Sequence, residues 1–442
     1  MVNIDDKHEV MEVILPSGTK NYRETLLPNG MLVMTGYMPP ELFRDVVDVH
    51  LFVGSGNWHD PKNMLGLAHM VEHMSLERST RLRTRQEISE NTRRYGSYVD
   101  GETCEVCTRF DLWTPDQYLF QSLPLFFEQV LNTSLVQREL ETEVGAVMEE
   151  IRRTKADPVQ YAELAAKGRL FKKNPFAFYG LGSLSGVQRI TIEDCLKFRE
   201  AHYHPANMTL TVNGPYDYKK GSIEDRSERF HDDVISAVNA AFDGMMGSRE
   251  RVPHEKRTAK IVASHEEHLR RNIPNTFVNR VIQDGDFSDE HGEISVELLA
   301  NILSNRIYTK LRDESGLTYR SVYNYTAFPE FVVSVGTSCH PRNFSRLAGI
   351  IAREEDSVRE RIPEQEFKTE VDRLKILTSI KYANGQGKTR EQINRRLGYG
   401  ETFESAMKTL DAITPGHIVR AAQHVLAKPY AQITLGQNPL GS

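Results

Sequence analysis

The feature that most constrains the fold of this chain is a pattern that occurs twice. In the first half, strand-like runs at 31–37, 46–53 and 98–112 are combined with helical runs that continue toward residue 155. In the second half, strand-like runs at 275–284 and 331–337 are again combined with helical segments. We therefore predict an α+β chain of two similar α/β-sandwich domains, each a mixed or antiparallel sheet covered by helices.

The boundary between the two predicted domains lies in a polar stretch at 216–255, which contains the runs KKGS, EDRSER and SRERVPHE. We assign residues 1–235 to an N-terminal domain, 236–258 to a linker and 259–442 to a C-terminal domain. A chain of 442 residues is long enough for two or three domains.

Charge and composition narrow the classes of function. The formal net charge of −6 does not suggest a nucleic-acid-binding protein, which usually has a basic excess. No apolar run is long enough to cross a bilayer. The N-terminal residues MVNIDDKHEV lack the features of an export or import signal, and four cysteines are few. These features predict a cytoplasmic protein with no membrane or nucleic-acid partner.

The sequence His69-Met-Val-Glu72-His73 lies in a predicted helix at about 64–76. His69 and His73 are one helical turn apart and share a face, which Glu72 borders. Two imidazoles at this spacing suit zinc, and a neighbouring carboxylate can take a proton from the water that the metal activates. The alternative is a pair of helix histidines that only form hydrogen bonds.

A catalytic zinc usually has three protein ligands, so a third must come from another element. The predicted helix at 137–155 offers Glu143, Glu149 and Glu150. Glu143 and Glu150 share a face, and if the side with Val147 packs inward, Glu150 can reach the metal with Glu143 behind it. The residues alone also allow a solvated acidic stripe.

Cys104 and Cys107 form a CxxC motif inside the predicted strand at 98–112. Residues three apart on one strand point to opposite faces, which favours two strand cysteines over a redox or metal site. The part of this strand from Asp100 to Val106 is expected to be an open sheet edge. A peptide could add to this edge through backbone hydrogen bonds, with contacts at Asp100, Gly101, Glu102 and Thr103.

The segments GLAHMVEHMSLERST, GSYVDGETCEVCTRFDL, ETEVGAVMEE and KLRDESGLTYRSV together resemble the pitrilysin/insulinase family of zinc metallopeptidases. The resemblance extends over most of the chain, although Asp100-Gly101 replaces the usual Asn-Ala. It implies one zinc ion per chain, held by His69, His73 and Glu150, with Glu72 as general base and Glu143 as outer support. It also implies that Arg312 and Tyr319 stabilise the oxyanion.

The same resemblance implies a zinc metalloendopeptidase that hydrolyses peptides or unfolded segments inside a closed chamber. Long members of the family close four such domains as a clamshell, and this chain has the domains for half of one. We therefore predict a homodimer in which each zinc site is completed by Arg312 and Tyr319 of the other chain.

Three alternatives remain open. The first is a noncatalytic subunit that holds peptides, and the second is a precursor-maturation protease that works with a different partner subunit. The third concerns the metal, because manganese or cobalt could occupy such a site.

Overall fold

The computed structural model describes residues 22–38, 45–171, 180–216, 218, 220–242, 263–283, 291–318, 321–326, 332–383 and 402–437. The chain divides into two compact units, which confirms the predicted two-domain α+β architecture. Unit 1 consists of Met1–Ile151 with Gly180–His254, and unit 2 consists of Arg152–Tyr179 with Glu255–Ser442.

The strands, in chain order, are β1 (Tyr22–Leu26), β2 (Leu32–Tyr37), β3 (Val46–Val53), β4 (Tyr98–Thr103), β5 (Thr108–Pro115), β6 (Met208–Gly214), β7 (His265–Arg270), β8 (Thr276–Gln283), β9 (Ser321–Thr326), β10 (Val332–Cys339) and β11 (Tyr430–Gly436). The helices are α1 (Leu67–His73), α2 (Arg85–Arg94), α3 (Leu119–Leu131), α4 (Gln137–Ala156), α5 (Pro158–Phe171), α6 (Leu184–Val187), α7 (Ile192–His202), α8 (Ile223–Ala241), α9 (Gly292–Tyr308), α10 (Phe344–Glu360), α11 (Glu364–Ala383), α12 (Phe403–Ala412) and α13 (Pro415–Val425). Among the described residues, no helix is long and apolar enough to cross a membrane.

Unit 1 is a mixed sheet with the strand order β1-β2-β6-β3-β5-β4. The strands pair antiparallel except β2 and β6, which are parallel. Alternate side chains of β3 are fully buried in a core that they share with helices: Val47, Val49, Leu51 and Val53. This period of two explains why β3 was predicted with the right bounds, because one face of the strand is apolar along its whole length.

Unit 2 is a mixed sheet with the strand order β7-β11-β8-β10-β9. With β1 set aside, the last strand of each sheet in chain order lies parallel to the first and antiparallel to the second. The two sheets then have the same strand order. Across each sheet, the first strand in the chain is followed by the last, the second, the fourth and the third. The two units therefore share one topology, and α1 in unit 1 occupies the same place in the chain order as α9 in unit 2.

The units differ from the predicted domain boundaries in two respects. Helix α5 follows α4 in the chain but packs on β8 and β11 of unit 2, where its alanines Ala162 and Ala166 are buried. The predicted linker at 236–258 also begins inside α8, which packs on β2 of unit 1. Helical periodicity predicts that a helix buries one face but does not say which sheet it covers.

The predicted single strand at 98–112 is wrong, because the structure forms the hairpin β4–β5 there. Its strands pair from Tyr98 opposite Trp113 to Thr103 opposite Thr108. The hairpin tip is held by the preceding loop, in which the backbone N–H groups of Asn57 and Trp58 donate to the carbonyls of Cys104 and Glu105. Cys104 and Cys107 therefore lie on opposite arms of a hairpin, not three residues apart on one strand.

One charged network spans β3 and β5 in unit 1. His50 lies directly opposite Asp111 in the sheet. Its Nδ1 is 2.6 Å from Asp111 Oδ1, and its Nε2 is 2.9 Å from Asp48 Oδ2. Arg109 Nε donates to Asp111 Oδ2 at 2.9 Å. Burial lowers the pKa of His50, but the hydrogen bonds and charges of Asp111 and Asp48 outweigh burial and raise this pKa from 6.5 to about 9.

The unfolding free energy is expected to depend on His50 in alkaline solution. A histidine with a raised folded-state pKa stabilises fully below its unfolded pKa, and this contribution is lost as the pH rises through the folded pKa. From about pH 6 to about pH 10, urea unfolding should show that the wild type loses roughly 3 kcal/mol more unfolding free energy than His50→Gln does. Equal pH slopes for the two proteins would contradict the assignment.

Candidate metal and catalytic site

The N-terminus of helix α1 is capped by a side chain that lies several residues before the helix. The Asp60 carboxylate accepts hydrogen bonds from Gly66 N at 2.6 Å and from Ala68 N at 2.8 Å. Gly66 has a φ of 107°, which a residue with a side chain rarely adopts. The carboxylate also complements the positive end of the helix dipole. Asp60 therefore fixes the point at which α1 begins.

The face of α1 that carries the HxxEH motif brings three side chains together. The rings of His69 and His73 are 4.6 Å apart and nearly perpendicular. One ligand atom from each of His69, Glu72 and His73 lies within 4.8 Å of the others. Within the described ranges, no group of three or more His, Cys, Asp or Glu side chains elsewhere is arranged to hold a metal ion.

Glu150 reaches the same place from α4. Its Oε2 atom is 3.6 Å from His69 Nε2 and 3.7 Å from His73 Nε2. Two atoms that bind one zinc ion at about 2.0–2.2 Å can be at most about 4.4 Å apart, so the distances from the Glu150 oxygen to both nitrogens fit one shared ion. Glu149, the neighbouring candidate, is exposed.

A chain of polar contacts supports His73 from behind. Its Nδ1 is 3.0 Å from Glu143 Oε2, and the other carboxylate oxygen of Glu143 is 2.6 Å from Arg78. Arg78 also donates to the His73 carbonyl at 3.1 Å. In the neutral imidazole of His73, a proton held on Nδ1 by Glu143 leaves the Nε2 lone pair directed toward Glu150, as in many carboxylate–histidine–metal triads.

The protonation of the site follows from burial and from these contacts. Burial lowers the pKa of His69 to about 4, helped by the charge of His73. Burial also lowers the pKa of His73, but its contacts with Glu143 and Glu150 outweigh burial and raise this pKa to about 9. Burial raises the pKa of Glu72 to about 7, against the influence of His73 and a hydrogen bond from Thr103. Glu72 can therefore exchange a proton near neutral pH.

Strand β4 lies beside Glu72 and forms one edge of the sheet of unit 1 among the described strands. Thr103 Oγ1 donates to Glu72 Oε2 at 3.3 Å. A Cβ atom at Gly101 would lie 2.5 Å from Glu72 Oε1, so glycine permits this close approach. The predicted peptide-contact residues Asp100, Gly101, Glu102 and Thr103 all belong to this edge strand.

Comparison with known proteins identifies the family. Residues 41–177 match the family profile described as Insulinase (Peptidase family M16), and residues 189–374 match the profile described as Peptidase M16 inactive domain. The first match contains the four side chains of the candidate site on α1 and α4, which are His69, Glu72, His73 and Glu150. The chain belongs to peptidase family M16.

Several M16 relatives resemble the chain over most of its length. An uncharacterized zinc protease of Streptomyces coelicolor is 25% identical over 433 residues, which cover 93% of this chain and 88% of that protein. The beta subunit of the mitochondrial-processing peptidase of Dictyostelium discoideum is 22% identical over 387 residues, 84% of this chain and 79% of that protein. Both relatives are thus comparable in length to this chain.

Solved structures share the M16 fold. A protease from Helicobacter pylori matches with a TM-score of 0.80 at 17% identity, over 94% of this chain and 99% of that chain. The periplasmic protease PqqL from Escherichia coli matches with a TM-score of 0.72 at 12% identity, over 99% of this chain and 47% of that chain. At these identities, the matches establish the fold that this M16 chain shares with them.

The predicted second-half residues lie in unit 2 or outside the described residues. Arg312 belongs to a π-helical turn at Thr309–Glu314, directly after α9, and its guanidinium lies 5.5 Å from the centre of the Tyr308 ring. Tyr319 lies outside the described residues. The roles of Arg312 and Tyr319 in this M16 chain stay predictions.

Two supporting residues were missed in the sequence. Arg78 orients Glu143, but it lies five residues after His73 in a stretch with no pattern that marks an inward-facing cation. Asp60 caps α1 from six residues before Gly66, whereas a capping residue is normally sought directly before the helix. The one signal in the sequence that could have indicated this cap is an acidic residue a few positions before a helix whose N-cap residue is glycine.

Proposed function

We propose that this chain is a zinc-dependent endopeptidase. The observation that carries the proposal is the convergence of His69, His73 and Glu150 from two helices within the span of one metal ion, with Glu72 at its side. Membership of family M16 and the names of the relatives, which are zinc proteases and a processing-peptidase subunit, support the same function.

The metal would be held by Nε2 of His69, Nε2 of His73 and the Glu150 carboxylate, one ion per chain. When bound, zinc supplies Lewis acidity, which lowers the pKa of a water and polarises a carbonyl. Glu143 keeps the proton of His73 on Nδ1, so that Nε2 remains a ligand.

Glu72 is the proposed general base. It takes a proton from the water whose oxygen adds to the peptide carbonyl carbon, and it later gives that proton to the leaving nitrogen as the C–N bond breaks. Its buried position keeps its pKa near 7, and the Thr103 hydroxyl orients its carboxylate. Arg312 and Tyr319 are proposed to stabilise the negative charge on the carbonyl oxygen.

The proposed substrates are peptides or unfolded segments. Strand β4 presents an edge beside Glu72, and an extended peptide can pair with such an edge whatever its sequence. A folded domain could not supply a free strand of this kind, so we propose that cleavage takes place on extended segments. We also propose that it takes place inside a chamber formed by two chains, as the resemblance implies.

The proposal is tested by metal analysis together with cleavage of a panel of unrelated peptides. The purified protein should hold about one zinc per chain, lose hydrolysis when a chelator removes it, and recover when one equivalent is returned. Cleavage of many peptides supports general degradation, and cleavage of one type supports a maturation protease. A zinc-loaded protein that binds peptides without cleaving any would instead support the peptide-holding subunit.

We further propose a homodimer whose sites are completed in trans. Co-expression of a Glu72→Gln chain with a Tyr319→Phe chain carrying a second tag should give heterodimers with one intact site. The statistical mixture should recover about a quarter of wild-type hydrolysis, because half of its dimers are mixed. Activity no higher than that of the two single variants would contradict completion in trans.

The cytoplasmic location also stays a proposal. It rests on the small number of cysteines, which fits a reducing compartment, whereas the solved relative PqqL is a periplasmic protease. Fractionation of cells that express the full-length gene would decide between the two compartments.

A further inference from the structure

The tip of the β4–β5 hairpin places two thiols directly across from each other. The register pairs Glu102 with Arg109 and Thr103 with Thr108, so the next pair along the hairpin is Cys104 and Cys107. The backbone continues this register, because Cys104 N donates to Cys107 O at 2.9 Å. Side chains that are directly opposite on an antiparallel pair point to the same face.

This placement satisfies the backbone requirement for a disulfide. Directly opposed residues of an antiparallel pair have Cα atoms about 4.5–5.5 Å apart. Disulfides join Cα atoms that are about 4.4–6.8 Å apart, so the bond can form without backbone movement. The loop hydrogen bonds from Asn57 and Trp58 hold the tip in this arrangement.

The two thiols are also in contact and accessible. A hydrogen bond with Cys107 is the largest of the causes that raise the pKa of the Cys104 thiol, and burial is the next. Both residues are partly exposed, whereas Cys195 and Cys339 are buried. Arg109 lies on the same face two positions along, where it pairs with Glu102 at 3.0 Å.

We propose that Cys104 and Cys107 are a site of reversible oxidation, at which a small-molecule disulfide such as oxidised glutathione converts the two thiols into a disulfide across the hairpin tip. The Cys107 thiolate attacks one sulfur of the oxidant, forms a mixed disulfide and releases one glutathione. Cys104 then loses its proton and attacks the Cys107 sulfur, which releases the second glutathione. The pair gives up two electrons and two protons, and one oxidised glutathione becomes two reduced molecules.

The cross-link would close next to the candidate catalytic site. Cys104 follows Thr103, whose hydroxyl donates to Glu72. The loop that holds the tip belongs to the same segment as Asp60, which caps α1. A change of bonding at the tip therefore acts on backbone that adjoins both Thr103 and the start of the HxxEH helix.

The test is to equilibrate the native full-length protein with glutathione buffers of increasing oxidation, quench with acid, alkylate and measure peptide masses. The peptide with both cysteines should lose the mass of two hydrogen atoms and resist alkylation, and dithiothreitol should reverse both changes. The measurement needs no hydrolysis, so it is independent of the proposed protease activity.

Two sets of variants sharpen the result. Cys104→Ser should stop at one glutathione attached to Cys107, since no second thiol completes the exchange. The double variant Cys195→Ala and Cys339→Ala should form the hairpin disulfide as the wild type does. The proposal is overturned if both thiols of the wild type stay reduced in oxidised glutathione, end as separate glutathione adducts, or link two chains.

Discussion

Replacing Glu72 by Gln is expected to reduce the turnover of a cleavable peptide by ~10²–10⁴-fold while the protein keeps its zinc. The amide has nearly the size of the carboxylate and can still accept from Thr103, so the packing of this buried side chain is preserved. It cannot take a proton from water at neutral pH. The loss should therefore appear in kcat, measured by peptide cleavage alongside metal analysis of the same sample.

A matched control is Glu90→Gln, which makes the same chemical change on the exposed surface of α2. Its turnover and zinc content should equal those of the wild type. If Glu72→Gln retained most of its turnover, Glu72 would not be the base. If the variant instead lost its zinc, Glu72 would be acting as a ligand, and the roles of Glu72 and Glu150 would have to be exchanged.

The part of the site within α1 was predictable because a helix converts sequence spacing directly into geometry. Residues three and four apart meet on one face, so His69, Glu72 and His73 could be placed together without a structure. The position of Glu150 is a different matter, since it depends on how α4 packs against α1. Helical periodicity left Glu143, Glu149 and Glu150 open, and only the resemblance to a family separated them.

The hairpin shows why turns with few turn-forming residues escape prediction. The tip Cys104-Glu-Val-Cys107 contains no Gly, Pro, Asn or Asp, which are the residues that normally mark a tight turn. In the structure, the tip is instead held by backbone hydrogen bonds from the loop at Asn57 and Trp58. That stabilisation comes from a segment almost fifty residues earlier, so local sequence carries no trace of it.

The shared topology of the two units was likewise only partly visible in the sequence. Alternation and helical periodicity predicted strands and helices in both halves, yet they could not order the strands across a sheet. With β1 set aside, the insertion of the last strand between the first and second is a long-range pairing in each unit. A repeat of fold without a visible repeat of residues indicates that only the core pattern is common to the two halves.

The comparison of Glu150→Gln with Glu149→Gln isolates the third ligand, because these neighbours on α4 differ in where they point. Glu150 Oε2 lies within 3.7 Å of both imidazole Nε2 atoms, whereas Glu149 is exposed. Loss of the carboxylate removes one ligand and one negative charge, so zinc affinity should fall by more than about 100-fold. Glu149→Gln should leave zinc affinity unchanged.

Glu143→Gln completes this series with an intermediate effect. Glu143 contacts His73 Nδ1 and Arg78 but lies behind the imidazole, so its amide should lower zinc affinity by about 10–100-fold through the orientation of His73. Competition with a chromophoric chelator measures all three variants, and urea unfolding in the same chelator checks that each is folded. A ranking in which Glu143→Gln weakens zinc more than Glu150→Gln does would place the third ligand on Glu143, because the direct ligand must cost more than the residue that orients a ligand.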